Sequence, residues 1–257
     1  MKKNSGFWIM KAFNGMFFLV TALFIALLAI SSHLLSAYPL ETRKTVYIII
    51  CVITFIKFFA YKYFLSVDEE YKVIMEDRGG FNLWGELPFQ LCNINMILMP
   101  LSVAFDLRPL MCFAFFAGTL GASIALVMPV DGFSGFPIWK PRLLGYYYNH
   151  FMIVMQAIAL VSYGFYSPEF RDIPMSLLTL FILSVLAYLF SKWLRVSGRH
   201  HGANYFYLID PEGNPVFEMF RKWIPYELWY GLPCIPVFGI YEAIVIAGFK
   251  LAEKLFS

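Results

Sequence analysis

Phe17-Phe18-Leu19-Val20-Thr21-Ala22-Leu23-Phe24-Ile25-Ala26-Leu27-Leu28-Ala29-Ile30 carries one hydroxyl and no charge. Widened to its polar flanks, the run covers roughly 12–38. A helix needs about 20 apolar residues to cross roughly 30 Å of hydrocarbon, so this stretch is long enough to span a bilayer. Lys2, Lys3 and Lys11 precede it, but the run is too long for a signal-peptide core and no cleavage site follows. It reads as a first transmembrane helix. Working outward, similar segments fall at about 45–65, 87–105, 109–128, 144–166, 174–194 and 226–249.

The composition agrees. The 257-residue chain is 60% hydrophobic and 14% charged, with mean hydropathy +0.66, which excludes an ordinary soluble domain. No alternating in/out pattern of a membrane barrel is present, and a bilayer forces backbone groups to pair within each segment. The expected fold is therefore an all-α, polytopic membrane helix bundle of about seven transmembrane helices, in one domain over 1–257. The net charge of +3 is small, and the basic residues flank apolar segments rather than forming a stripe. They read as orientation signals, not as a nucleic-acid surface. With the N-terminus inside, 14 basic residues fall on the inner side and 6 on the outer, which favours that orientation. Two long loops, about 66–86 and 195–225, then lie inside. The first is acidic and is expected to hold a short amphipathic helix ending at Gly79-Gly80. The second carries His200-His201, Asn204-Tyr205 and a turn at Asp210–Pro215.

Cys51, Cys92, Cys112 and Cys234 all sit in or beside apolar segments, and none form a CxxC pair. That argues against zinc and against a secreted disulfide framework. His200-His201 lacks a third ligand and reads as part of a basic patch; no metal or cofactor is expected.

Cys92 is the residue to examine. Segment 87–105 opens Leu87-Pro88-Phe89-Gln90-Leu91-Cys92, with Pro88 suited to the first helical position. Cys92 is then expected within the first two turns, where a helix N-terminus favours a thiolate. His150 lies about equally far into segment 144–166, which runs the same way. Each is about 9 Å from its segment start at 1.5 Å per residue. A thiol and an imidazole at one depth can be a nucleophile and its base. Asn95 shares a face with Cys92, and Tyr146 with His150; Gln90, Asn93 and Asn149 lie close by. Amides can donate to a developing oxyanion. The plainer reading is open too: a membrane cysteine often packs as a small hydrophobe, and amides often join helices. Glu242 and His33, expected at a common outer depth, read as a structural contact or a proton path. Lys57 reads as a snorkelling side chain.

The block Leu87–Ile94, His150, and Gly202-Ala203-Asn204-Tyr205-Phe206-Tyr207-Leu208 together resemble the YwaF-like integral membrane family, which includes bacterial proteins and animal transmembrane protein 164. The likeness runs from about residue 45 onward. One departure is Gln90, where members often carry histidine. The resemblance implies a lipid acyltransferase in which Cys92 and His150 are the catalytic pair, with no acyl-CoA required. It implies membrane phospholipids or lysolipids as substrates and a bacterial plasma membrane as the location. Gln90, Asn93, Asn95, Tyr146, Asn149, Asn204 and Tyr205 are the expected substrate-binding residues, with Asn93 or Asn95 as oxyanion donors and Asn204 and Tyr205 capping the site. The alternatives are a transporter or lipid-binding membrane protein without catalysis, motivated by the interrupted last segment and by Glu242, Lys57 and His33, and a partner subunit whose acidic 66–86 loop binds a basic protein.

Overall fold

The computed structural model of the protein describes residues 6–76, 80–129 and 132–256. Lys2, Lys3 and Gly79, named above, lie outside the described residues, as do Asp77 of the acidic loop and Arg78, one of the inner-side basic residues. Helix α1 spans Gly15–Ser36, α2 Leu40–Val67 and α3 Glu69–Met75. Helix α4 spans Asn95–Ala104, α5 Arg108–Val127 and α6 Pro141–Ser162. Helix α7 spans Ile173–Val196, α8 Pro215–Trp223 and α9 Cys234–Phe256. Two short strands, β1 at Ile9–Met10 and β2 at Phe136–Pro137, pair antiparallel with Ile9 opposite Pro137. They tie the N-terminal segment to the loop entering α6.

The local starts follow from side chains. Asn14 accepts from the Phe17 amide at 2.9 Å and caps α1. Asp68 does the same for Tyr71 at 3.0 Å, so the acidic loop yields α3 where a short helix is expected. Asn214 accepts from Val216 and Phe217 amides and Pro215 takes the first position of α8. Helix α8 was not anticipated, although Asn-Pro after a turn is a start signal.

Among the described residues five helices are long and apolar enough to cross a membrane: α1, α2, α5, and the stretches Phe170–Val196 and Trp229–Leu255 that contain α7 and α9. The two remaining expected spans differ. Helix α6 is 22 residues long but carries Arg142, Asn149, His150 and Gln156, all buried. It touches α1, α2, α4 and α5, so its surface faces protein rather than lipid and need not be apolar. Segment 87–105 forms a helix only from Asn95, and residues 87–94 are turns. Pro88 is therefore not a first helical residue, and Cys92 precedes α4 instead of lying in its first two turns. Amide side chains compete with the helix here: Asn95 bonds Leu91 O, and Gln90 is drawn to the Phe206 amide of a distant loop. The last span also begins later than 226. Pro233 lies before α9, and Pro236 sits in its first turn, where an amide has no partner to lose.

The core centres on α5. Cys112, Phe113, Phe116 and Ala117 pack with Met96 and Met99 of α4 and Ile153, Ala157 and Leu160 of α6. Helix α1 is the outermost member: Leu19, Leu23, Ile25 and Ile30 are exposed, as a surface solvated by acyl chains requires. Gly145 lets α6 approach α2 closely, since a Cβ there would lie 2.1 Å from the Tyr61 ring. His33 and Glu242 do not meet. His33 is exposed on α1, while Glu242 is buried on α9 and accepts a hydrogen bond from Ser176 of α7.

Candidate active site

Helix α6 supplies the imidazole. His150 Nδ1 lies 2.8 Å from the carbonyl oxygen of Tyr146, one turn earlier. A carbonyl only accepts, so Nδ1 carries the hydrogen and the neutral ring leaves Nε2 with a bare lone pair. That Nε2 faces Cys92 Sγ at 3.7 Å. The ring is fixed from a second direction by Tyr146, whose centroid lies 4.3 Å away and whose hydroxyl donates to Ala125 O at 2.7 Å. His150 itself is 7% exposed.

The 87–94 turns supply the thiol. Cys92 rests against Gly121 of α5, where a Cβ would sit 3.8 Å from the Cys92 Cα. The Lys62 ammonium of α2 lies near enough for its charge to act on both Cys92 and His150. Lys62 is itself held by Glu86, at 2.5 Å, and Glu86 also accepts from the Tyr71 hydroxyl. Because the imidazole is buried and the thiol half-buried, an isolated thiolate is costly, and proton transfer to Nε2 has to accompany any attack by sulfur.

The amides divide into two kinds. Asn95 is fully buried and spends Nδ2 on Leu91 O at 2.9 Å, which closes the turn that holds Cys92. Its Oδ1 has no partner, and neither do Asn93 Oδ1 and Asn149 Oδ1. These oxygens are acceptors, suited to a hydroxyl or ammonium. The other amides are committed to the scaffold. Gln90 Oε1 accepts from the Phe206 amide at 3.1 Å. Asn204 donates to Asp210 O and Glu212 Oε1, both at 2.7 Å, and accepts from the Ile209 amide. Tyr205 donates its hydroxyl to Trp84 O, while its amide donates to Ser191 Oγ at 2.9 Å. Phe206 and Tyr207 sit at φ 59° and 56°, so the 204–208 turn is held in a costly backbone conformation by these bonds. The Asn-Tyr segment thus fastens its loop to the chain just before Cys92.

The structure brings Cys92, His150 and Tyr146 together, and sets Gln90, Asn204 and Tyr205 one layer behind. Sequence reasoning missed Lys62 and Gly121. Lys62 was visible as a cation inside an apolar run, but it was counted as an orientation signal. Among the described residues no group of three or more His, Cys, Asp or Glu could hold a metal.

The fold and this pair define an integral membrane helix bundle with a thiol and an imidazole at hydrogen-bonding distance in its interior. Residues 8–241 match the TMEM164 family, and the chain belongs to that family. No curated protein and no solved structure matches it.

Proposed function

We propose that the protein is a membrane-embedded lipid acyltransferase or transacylase working through a Cys92 thioester, and that the YwaF-like grouping and a bacterial plasma membrane go with it. The observation that supports this most is the 3.7 Å approach of Cys92 Sγ to a His150 Nε2 whose lone pair is free by virtue of the Nδ1 bond to Tyr146. Cys92 attacks the ester carbonyl of a phospholipid as Nε2 takes the thiol proton. The acyl C–O bond breaks, and His150 returns that proton to the departing lysolipid oxygen. A second alcohol then gives its proton to Nε2 and attacks the thioester, and Cys92 leaves and regains a proton. Water in place of that alcohol makes the same site a lipase. The unpartnered oxygens of Asn93 and Asn149 offer acceptors for an incoming hydroxyl.

Purified protein given phospholipid is expected to gain one acyl mass on Cys92, read by intact mass and peptide mapping. Cys92→Ala is expected to lose the adduct and to lower lipid remodelling on the order of 10³-fold. Equal remodelling by the two proteins overturns the proposal. A transport reading rests on a different observation, the partnerless Oε2 of fully buried Glu242. It requires Glu242→Gln to stop flux in liposomes while Cys92→Ala does not.

A further inference from the structure

Helix α8, Pro215–Trp223, presents three different surfaces. Phe220 is buried, Phe217 lies against the rings of Tyr207 and Tyr230 at 6.2 and 6.1 Å, and Arg221 donates to Ile209 O at 2.5 Å. That sector faces protein. Glu218 and Lys222, one turn apart, are exposed and polar. Between these sectors run Val216, Met219 and Trp223, at the i, i+3, i+7 spacing of one helix face. All three are exposed, and Trp223 is 74% so. A helix on a water-soluble surface needs two faces, one for the core and one for water. A third that is apolar and uncovered calls for an apolar neighbour.

The level of α8 in the bundle says which neighbour. The Tyr205 amide donates to Ser191 Oγ and Arg195 donates to Ala203 O, so the loop before α8 is fastened to the last two turns of α7. The stretch Phe170–Val196 is long and apolar enough to cross a membrane, and its end marks where hydrocarbon gives way to water. On the other side of α8, Glu227 accepts from Lys192 of the same two turns at 3.0 Å, and the next such stretch, Trp229–Leu255, then begins. Tyr226 and Trp229, just beyond α8, are exposed as well. The same end of the bundle carries a second aromatic patch. Phe206 bonds to Gln90, two residues before Cys92, and Cys92 meets His150 in the first half of α6, so α6 starts at this end. Beside that start Trp8 and Trp139 are exposed, with ring centroids 6.1 Å apart. Tryptophan and tyrosine concentrate where hydrocarbon meets headgroups.

We propose that α8 is an interfacial helix, lying along the boundary of the bilayer with Val216, Met219 and Trp223 among the acyl carbons next to the headgroups and with Glu218 and Lys222 in water. The partner is the lipid surface itself, and the assignment does not depend on the transfer reading above. A helix with one apolar and one charged face settles ~5–10 Å into that boundary. Arg221 and Phe217 then tie the 204–212 loop to a helix that the membrane holds in place.

The test uses full-length protein in phosphatidylcholine vesicles with bromine on the acyl chains, placed either near the ester or near the methyl end. Bromine quenches tryptophan on contact, and the difference between wild type and Trp223→Phe isolates the Trp223 emission. Near-ester bromine is expected to quench that emission about twofold more than methyl-end bromine. Met219→Trp and Glu218→Trp, each added to Trp223→Phe, read the two faces at exposed positions, where the fold is not at stake. The first is expected to respond to near-ester bromine and the second to aqueous iodide alone. Trp223 emission that iodide quenches and bromine leaves untouched overturns the assignment, since the face then stands in water. So does emission that neither quencher reaches, which would mean a covering protein such as a second copy of the chain. Equal or stronger quenching from the methyl end also overturns it, by placing α8 within the hydrocarbon. Equal responses of the two added tryptophans do the same, because the helix then has no membrane face.

Discussion

Two polar clusters occupy this bundle, and they are built on opposite terms. Where α5 and α7 begin, Arg108 clasps Asp172 through two bonds of 2.8 Å, and Asp172 also accepts from the Tyr166 hydroxyl and the Glu169 amide. Arg108 Nη2 is shared with Ser167 O and Glu169 Oε1. Every strong group there has a partner. Around Cys92 the sulfur and imidazole meet at 3.7 Å, and the oxygens of Asn93, Asn95 and Asn149 have none. Buried polar groups are normally satisfied, so a saturated cluster reads as scaffold and an unsaturated one as a place where a ligand supplies the missing bonds. The difference separates two roles that composition alone makes look alike.

That distinction can be broken at several points. The largest effect is expected from His150→Gln, which removes the proposed base and is expected to lower acyl transfer by about 10²–10⁴-fold with little change in unfolding. Asp172→Ala is expected to do the reverse. It leaves Arg108 unpaired and lowers stability by about 2 kcal/mol, a figure reduced from that of a fully buried pair because Arg108 is partly solvated, while transfer per folded molecule is retained. Transfer lost in Asp172→Ala without destabilisation would make the scaffold reading untenable. Gly145→Ala drives a methyl into the Tyr61 ring and is expected to lower the unfolding midpoint by an amount equivalent to about 1–3 kcal/mol. Gln90→Ala removes the acceptor for the Phe206 amide and is expected to cost about 1 kcal/mol, with a larger loss of transfer than of stability if the turn positions Cys92.

The smallest effect concerns pH. The Lys140 ammonium hydrogen-bonded to Glu70, with Arg142 behind it, holds that carboxyl below its ordinary 4.5. A depressed carboxylate pKa stabilises the fold above the ordinary value, and the contribution disappears as pH falls through the depressed one. Thermal unfolding in detergent is expected to show that decline, and Glu70→Gln to flatten it. No such slope is expected of the Cys92 end.

The sequence and the structure agree where the signal is long. Apolar runs located α1, α2, α5 and α7 to within a few residues, because lipid-facing helices must be apolar over their whole length. Agreement ends where tertiary bonds decide. The 87–105 run looks like a span in one dimension, yet Asn95 and Gln90 tie its first residues to backbone groups, and helix waits until Asn95. Helix α6 was located too, at 144–166 against Pro141–Ser162, but its buried charge and amides depend on neighbours no linear reading contains. Matched depth anticipated that Cys92 and His150 could meet, although from a helix start that does not exist. The same argument failed for His33 and Glu242, because depth fixes one coordinate and contact needs three.

The bond from the Phe206 amide to Gln90 has a consequence in time. It joins residues 116 apart, and the Gln90 side of it lies two residues before the thiol. During synthesis the Cys92 turn is therefore made long before the loop that fastens it. The Cys92 thiol reaches the membrane unlatched, and its turn is fastened only when the penultimate part of the chain emerges and docks. A ribosome-stalled chain ending before 206 carries both Cys92 and His150 and lacks the latch, so the gain of thiol protection on release from the stall marks the moment at which assembly makes this chain competent.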